Sequence, residues 1–131
     1  ITLKIKSMVQ GFENITNELS AEELVVVPYM VKAFGNYKKA NPIKSAELIL
    51  KMNAWMKKYG LTWTMTDVKL RKIVNYIRVQ SIAPICANSD GYFIATTEEE
   101  LQIQIDSLRQ RANSILSCAN GLAKISKPQK V

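Results

Sequence analysis

The sequence predicts a mainly α-helical chain with one small β-hairpin and a long closing helix. Three observations carry that expectation. Three segments repeat apolar residues at a helical period, each opened by a residue suited to a helix start. The stretch IAPICANSDGYFIAT sets two short β-prone runs around an Asp-Gly pair, a strong hairpin signal. From Glu98 onward the chain carries three acids in a first helical turn and meets no Pro until Pro128.

Length and composition bound the answer. A chain of 131 residues, 47% apolar and 22% charged, fits one globular domain with a real core. The longest apolar run, LVVVPYMV at Leu24–Val31, is far short of a membrane span, and no signal-peptide pattern opens the chain. The chain starts at Ile1 instead of Met, which points to a processed or recombinant fragment. Cys86 and Cys118 form no CxxC and have no His to join, so two free thiols in a reducing, bacterial cytoplasm are expected. The lack of His also removes the commonest base for a Ser or Cys nucleophile and the commonest ligand for a transition metal. Neither GxxxxGK[ST] nor GxGxxG occurs. The expectation is no enzyme, no cofactor and no metal.

Net charge is +7, and its placement says more than its size. Between Lys32 and Arg78 lie eleven basic residues and two acids, so that segment carries +9 and the remainder −2. Charge this uneven suggests a surface that faces a polyanion.

The elements follow in order. Residues 1–17 read as an arm, with Ile1, Leu3 and Ile5 alternating against Thr2, Lys4 and Lys6 as in a short strand. Ser20 and Glu23 form a capping box that opens a helix from about Ala21 to Phe34, ending at Gly35, with Pro28 expected to kink it or tighten its start. GNYKKANP is a basic loop. A second helix is expected from near Pro42 to Tyr59-Gly60. Its polar residues Lys44, Glu47, Lys51 and Lys58 share one stripe, so it reads as largely buried, with Trp55 and the methionines as core. GLTWTMT is a loose turn leading to Thr66, an N-cap. The third helix, Asp67–Gln80, presents Leu70, Ile73, Val74 and Ile77 to the core. Its opposite face carries Val68, Lys72, Asn75 and Val79, flanked by Lys69, Arg71 and Arg78. Pro84–Ala87 pairs with Tyr92–Ala95 as a hairpin. Thr97 and Glu100 form a second capping box for a helix running to about Lys124, followed by a tail over 126–131.

Three helices and then a hairpin is the order of a winged helix-turn-helix, here over 18–96, with the long helix over 97–125 appended. In such a fold the third helix buries one face on the first two and offers the other to a groove about 12 Å wide. Asn and Lys/Arg are the residue types that bond base edges and phosphates. Lys69, Lys72 and Asn75 are expected to contact the groove, and Arg71 and Arg78 the phosphates. Lys38, Lys39 and Lys44 would add backbone contacts. Replacing Lys72 and Asn75 by Ala is expected to remove sequence preference and leave the fold intact.

The stretch LVVVPYMVKAF, and then TDVKLRKIVNYIRVQSIAPICANSDGYFIATTEEELQIQIDSLRQRANSILSCANGL, resembles small winged helix-turn-helix proteins encoded in bacteriophage and prophage genomes. The resemblance spans about Leu19–Leu122 and is best from Thr66 onward. It implies a DNA-binding regulator or replication-associated factor. The chain departs from the pattern in two places. Asp90 stands where a basic residue often precedes the wing glycine, so the wing from Pro84 to Ala95 has no positive charge and only Asn88 and Ser89 as donors. The second helix is also longer than a minimal helix-turn-helix uses.

The partner expected from this reading is double-stranded DNA. The alternatives are a protein-interaction module docking on a phage or host replication or transcription protein, and RNA binding through the same basic face. In the last helix Leu101, Ile105, Leu108, Ala112, Ile115, Ala119 and Leu122 follow a heptad spacing, which predicts a coiled-coil homodimer, the alternative being a seam that packs back on the winged domain of the same chain.

Overall fold

The structure, a computed structural model, describes residues 18–126. The arm expected over 1–17 and the tail beyond Ser126 lie outside the described residues. The chain divides into two compact units, one ending at Ala95 and one starting at Thr96.

The first unit opens with α1 (Ala21–Phe34). The predicted capping box is present: the Glu23 N–H donates to Ser20 Oγ at 3.1 Å, and the Ser20 N–H donates to Glu23 Oε1 at 2.9 Å. Pro28 is exposed inside the helix, which runs through it unbroken.

The second helix, α2 (Ser45–Lys58), starts three residues later than Pro42 suggests. The cause is a sheet contact. Ile43 exchanges two backbone hydrogen bonds with Tyr92, at 2.9 and 2.8 Å, which holds the chain extended up to Lys44. Nor is α2 largely buried. Leu48, Met52 and Met56 form its one buried stripe, Leu50 is 72% exposed, and Trp55 is half-buried. A helix on the outside of a three-helix cluster meets the core along one line only, so its other apolar residues stay wet.

The α2–α3 connection is tighter than its Thr-rich sequence suggests. The Met65 N–H donates to Asn53 Oδ1 at 2.7 Å, Asn53 Nδ2 donates to the Met65 carbonyl at 3.2 Å, and Met65 is buried. Thr66 then caps α3 (Asp67–Val79) by accepting from the Lys69 N–H. All four positions expected on its core face, Leu70, Ile73, Val74 and Ile77, are buried. They pack with Val26, Met30 and Phe34 of α1 and with the α2 stripe.

The hairpin consists of β1 (Ile85–Asn88) and β2 (Gly91–Ile94). Its register pairs Cys86 with Phe93 and Asn88 with Gly91, leaving Ser89-Asp90 as a two-residue turn. The alignment is the predicted one, but each strand lies one residue closer to the turn: Asn88 and Gly91 join the strands, and Pro84 and Ala95 fall outside them. β2 also bonds on its other side, through Ile43 and through the Ile94 N–H to the Tyr37 carbonyl.

The second unit contains α4 (Glu98–Ser126), 29 residues long. The Glu100 N–H donates to Thr97 Oγ1 as expected, but the Glu100 carboxylate accepts from the Thr96 N–H instead of closing the box on Thr97. No helix among the described residues is long and apolar enough to cross a membrane.

Candidate nucleic-acid interface

The hairpin turn and the N-terminal ends of α2 and α3 meet at one open groove of about 340 Å³. Lys44, Ser45, Arg71, Asn88 and Ser89 supply most of its polar lining, with Asp67 beside Arg71. The fold brings them together through the Ile43–Tyr92 bridge, which fixes the hairpin against the start of α2. Lys44 then reaches across, and its ammonium donates to the Ser89 carbonyl at 3.0 Å. Lys44 occupies the N-cap position of α2 but makes no side-chain cap bond. The first turn therefore keeps the partial positive charge of a helix N-terminus, a favourable seat for an anion.

Arg71 and Asp67 form an ion pair at 3.2 Å, and both side chains stay more than half exposed. Behind them Tyr92 is half-buried, and burial holds its phenol above its ordinary value against the pull of Arg78. At the turn, the Asp90 N–H donates to Asn88 Oδ1 at 2.8 Å, which fixes the loop.

The remaining expected contacts are spread more widely. Lys69 is half-buried, its Nζ 4.9 Å from the ring centroid of Trp63. Lys72 points inward: its Nζ lies 2.9 Å from the buried carboxylate of Glu23 on α1. Glu23 is held below the ordinary carboxylate value. Burial raises it, but the Ser20 N–H and the Lys72 ammonium more than offset that. Arg78 is half-buried, and its Nε donates to the Ile85 carbonyl at 2.9 Å, tying α3 to β1. Asn75 is half-buried on α3, whose outward side exposes Val68 and Val79. Lys38 and Lys39 lie in the loop after α1, outside the groove, and the Lys38 ammonium donates to the Gly35 carbonyl.

Sequence reasoning missed Ser45 and Tyr92 as parts of this site. Tyr92 carried a signal, because an aromatic directly after the turn glycine is well placed to bridge to a second strand. Ser45 carried none, because Pro42 reads as a first helical residue and puts Ser45 inside the first turn.

Among the described residues no group of His, Cys, Asp and Glu is placed to hold a metal ion. No protein-family model, curated protein or solved structure matches the chain.

Proposed function

We propose that the chain is a non-enzymatic protein of winged helix-turn-helix type that binds double-stranded DNA, as in the phage-encoded proteins its sequence resembles. In this reading it works in a bacterial cytoplasm. α3 enters the major groove, the hairpin is the wing, and the groove between them grips the sugar-phosphate backbone. The observation that carries the reading is the convergence of the hairpin turn with the starts of α2 and α3 on a patch where Lys44, Ser45, Arg71, Asn88 and Ser89 can donate hydrogen bonds to phosphate and where Asp67 is the one acid among the described residues. The outward side of α3 then offers apolar Val68 and Val79 for thymine methyl groups and Asn75 for an adenine edge. Lys72 serves the fold through Glu23, so base reading falls to Val68 and Asn75, with Arg71 on the phosphates.

Selection from random duplex DNA tests the reading. An enriched motif is expected, with affinity falling steeply as salt rises. Lys44→Ala and Arg71→Ala should each reduce the salt slope by about 1. Salt-insensitive binding with no enriched motif would remove DNA from the proposal.

A second reading has its own observation. On α4 every residue from Asp106 to Ser126 is exposed, including Leu108, Ile115, Leu116, Leu122 and Ile125. A row of exposed aliphatics on one helix supports a protein contact there. The proposal is a homodimer along that face, with docking on a replication or transcription protein as the competing use.

A further inference from the structure

A second groove, of about 450 Å³, opens between α1 and α2 and shares no residue with the first. Its character is aromatic and basic. Tyr29 and Trp55 stack with ring centroids 4.0 Å apart and planes within 17°. Tyr59 continues the series, 5.0 Å from Trp55 and tilted by 36°. Tyr37 closes the far wall. Tyr59 is 62% exposed at the end of α2, so the row of rings ends in solvent.

The cations around these rings are Lys32, Lys51 and Lys58. Lys32 and Lys51 line the groove, the Lys51 ammonium lies 5.8 Å from the Tyr37 ring, and the Lys58 ammonium lies 5.8 Å from the Tyr59 ring. Among the described residues no carboxylate lines the groove; Glu47 stands beside it, 3.9 Å from Lys51.

Tyr29, Tyr37 and Trp55 pack against the core with part of their surface, but Tyr59 does not. The buried work of α2 is done by Leu48, Met52 and Met56, while Trp55 and Tyr59 lie at its margin. Lysines beside aromatic faces repel a cationic ligand and attract an anion. A ligand that suits both features has flat π-faces at intervals along a negatively charged chain, which describes unpaired nucleotides. A duplex keeps its bases stacked inside and offers no face to Tyr59. An acidic peptide satisfies the lysines but leaves the exposed Tyr59 ring unused.

We propose that the α1–α2 groove binds single-stranded nucleic acid, with a base stacked on Tyr59 and the adjoining phosphates held by Lys32, Lys51 and Lys58. The site is separate from the duplex-binding groove and does not rest on it. A protein with both sites would hold a duplex and an adjoining unpaired strand at once.

The test is fluorescence anisotropy of the full chain with a labelled twelve-nucleotide thymidine strand at low salt. Binding is expected for the wild type. Tyr59→Ala should weaken it about five- to 150-fold, the range that loss of one base–aromatic stack produces. Tyr59→Phe, which keeps the ring, should restore it. Tyr59 is exposed, so neither change threatens the fold. Arg71→Ala should leave the strand's affinity unchanged while weakening duplex binding, which separates this site from the other. An abasic strand of equal charge should bind as weakly to wild type as the thymidine strand binds to Tyr59→Ala. The proposal is overturned if the wild type ignores the strand, if Tyr59→Ala binds it as well as wild type, or if the abasic strand or a polyglutamate peptide binds equally well. That last result would assign the groove to an acidic protein segment.

Discussion

At the level of single residues, the pair formed by Glu23 and Lys72 decides how the proposed recognition surface is to be tested. A helical wheel gives Lys72 an outward angle. It cannot register that a capping glutamate from α1, 49 positions earlier in the chain, waits at that angle. The core stripe of α3 was legible because it depends on spacing alone; the fate of Lys72 was not, because it depends on a distant neighbour. The Glu23 side chain is only 7% exposed, so Lys72→Ala would leave a buried carboxylate without its cation. A loss of about 1–3 kcal/mol is expected, read by urea unfolding at pH 7. The expectation that Lys72→Ala leaves the fold intact is therefore replaced by one of destabilisation, and Arg71 and Asn75 become the residues to vary for DNA binding. The pair also sets a pH dependence. The Glu23 carboxyl is lowered in the folded state from an ordinary 4.5, so its contribution is fully present above that value and is lost as pH falls through the lower folded one. Glu23→Gln should flatten the fall in stability below about pH 4.5. An unchanged acid profile in that variant would count against the pair.

Among the elements, the hairpin combines what local sequence reveals with what it hides. Its register was legible from the β-prone runs on either side of Asn88-Ser89-Asp90-Gly91, but its tight turn was not: all four residues read as turn, whereas Asn88 and Gly91 pair as strand residues and leave only Ser89-Asp90 between them. The third partner, Ile43, was hidden, because Pro42 is equally suited to open a helix or to precede an extended residue. That ambiguity also displaced the start of α2. Gly91 shows why the extra partner matters: its φ is +134°, and a Cβ there would strike the Ile43 carbonyl oxygen. Two independent reasons thus require glycine, one conformational and one steric. Gly91→Ala should destabilise the first unit by at least about 1 kcal/mol. It should also open the Ile43–Tyr92 bridge, seen as faster amide exchange at Tyr92. Unchanged exchange there would mean that the bridge does not depend on Gly91. Asp90 is the contrasting case. Its backbone N–H makes the turn bond to Asn88, so the side chain can be changed without breaking it. Asp90→Lys should shift stability by no more than about 0.5 kcal/mol and strengthen duplex binding at low salt. Equal affinity in the two proteins would place the hairpin away from DNA.

For the molecule as a whole, the open question is how many copies act together, and α4 bears on it most directly. Its 29 residues extend about 43 Å at 1.5 Å per residue. The heptad positions identified from sequence all fall within this one unbroken helix, and they divide in a telling way. Leu101 and Ile105 are half-buried, whereas Leu108, Ala112, Ile115, Ala119 and Leu122 are exposed, with Ile115 at 70% and Leu122 at 69%. A row of exposed aliphatics on a helix that long gains stability by covering itself, and a second copy of the same row is the self-complementary solution. Ala112 and Ala119 let two backbones approach closely between the larger contacts. A two-fold pair would also carry two copies of α3, which suits binding to related half-sites on DNA. The expectation is a homodimer in sedimentation at tens of micromolar. Ile115→Glu with Leu122→Glu should yield a folded monomer, because both side chains already face solvent and each added charge enters only the dimer contact. That monomer should bind a palindromic duplex more weakly than the wild type while keeping its affinity for a single half-site. A wild-type chain that sediments as a monomer, or a double variant that still pairs, would transfer the row to a different protein partner.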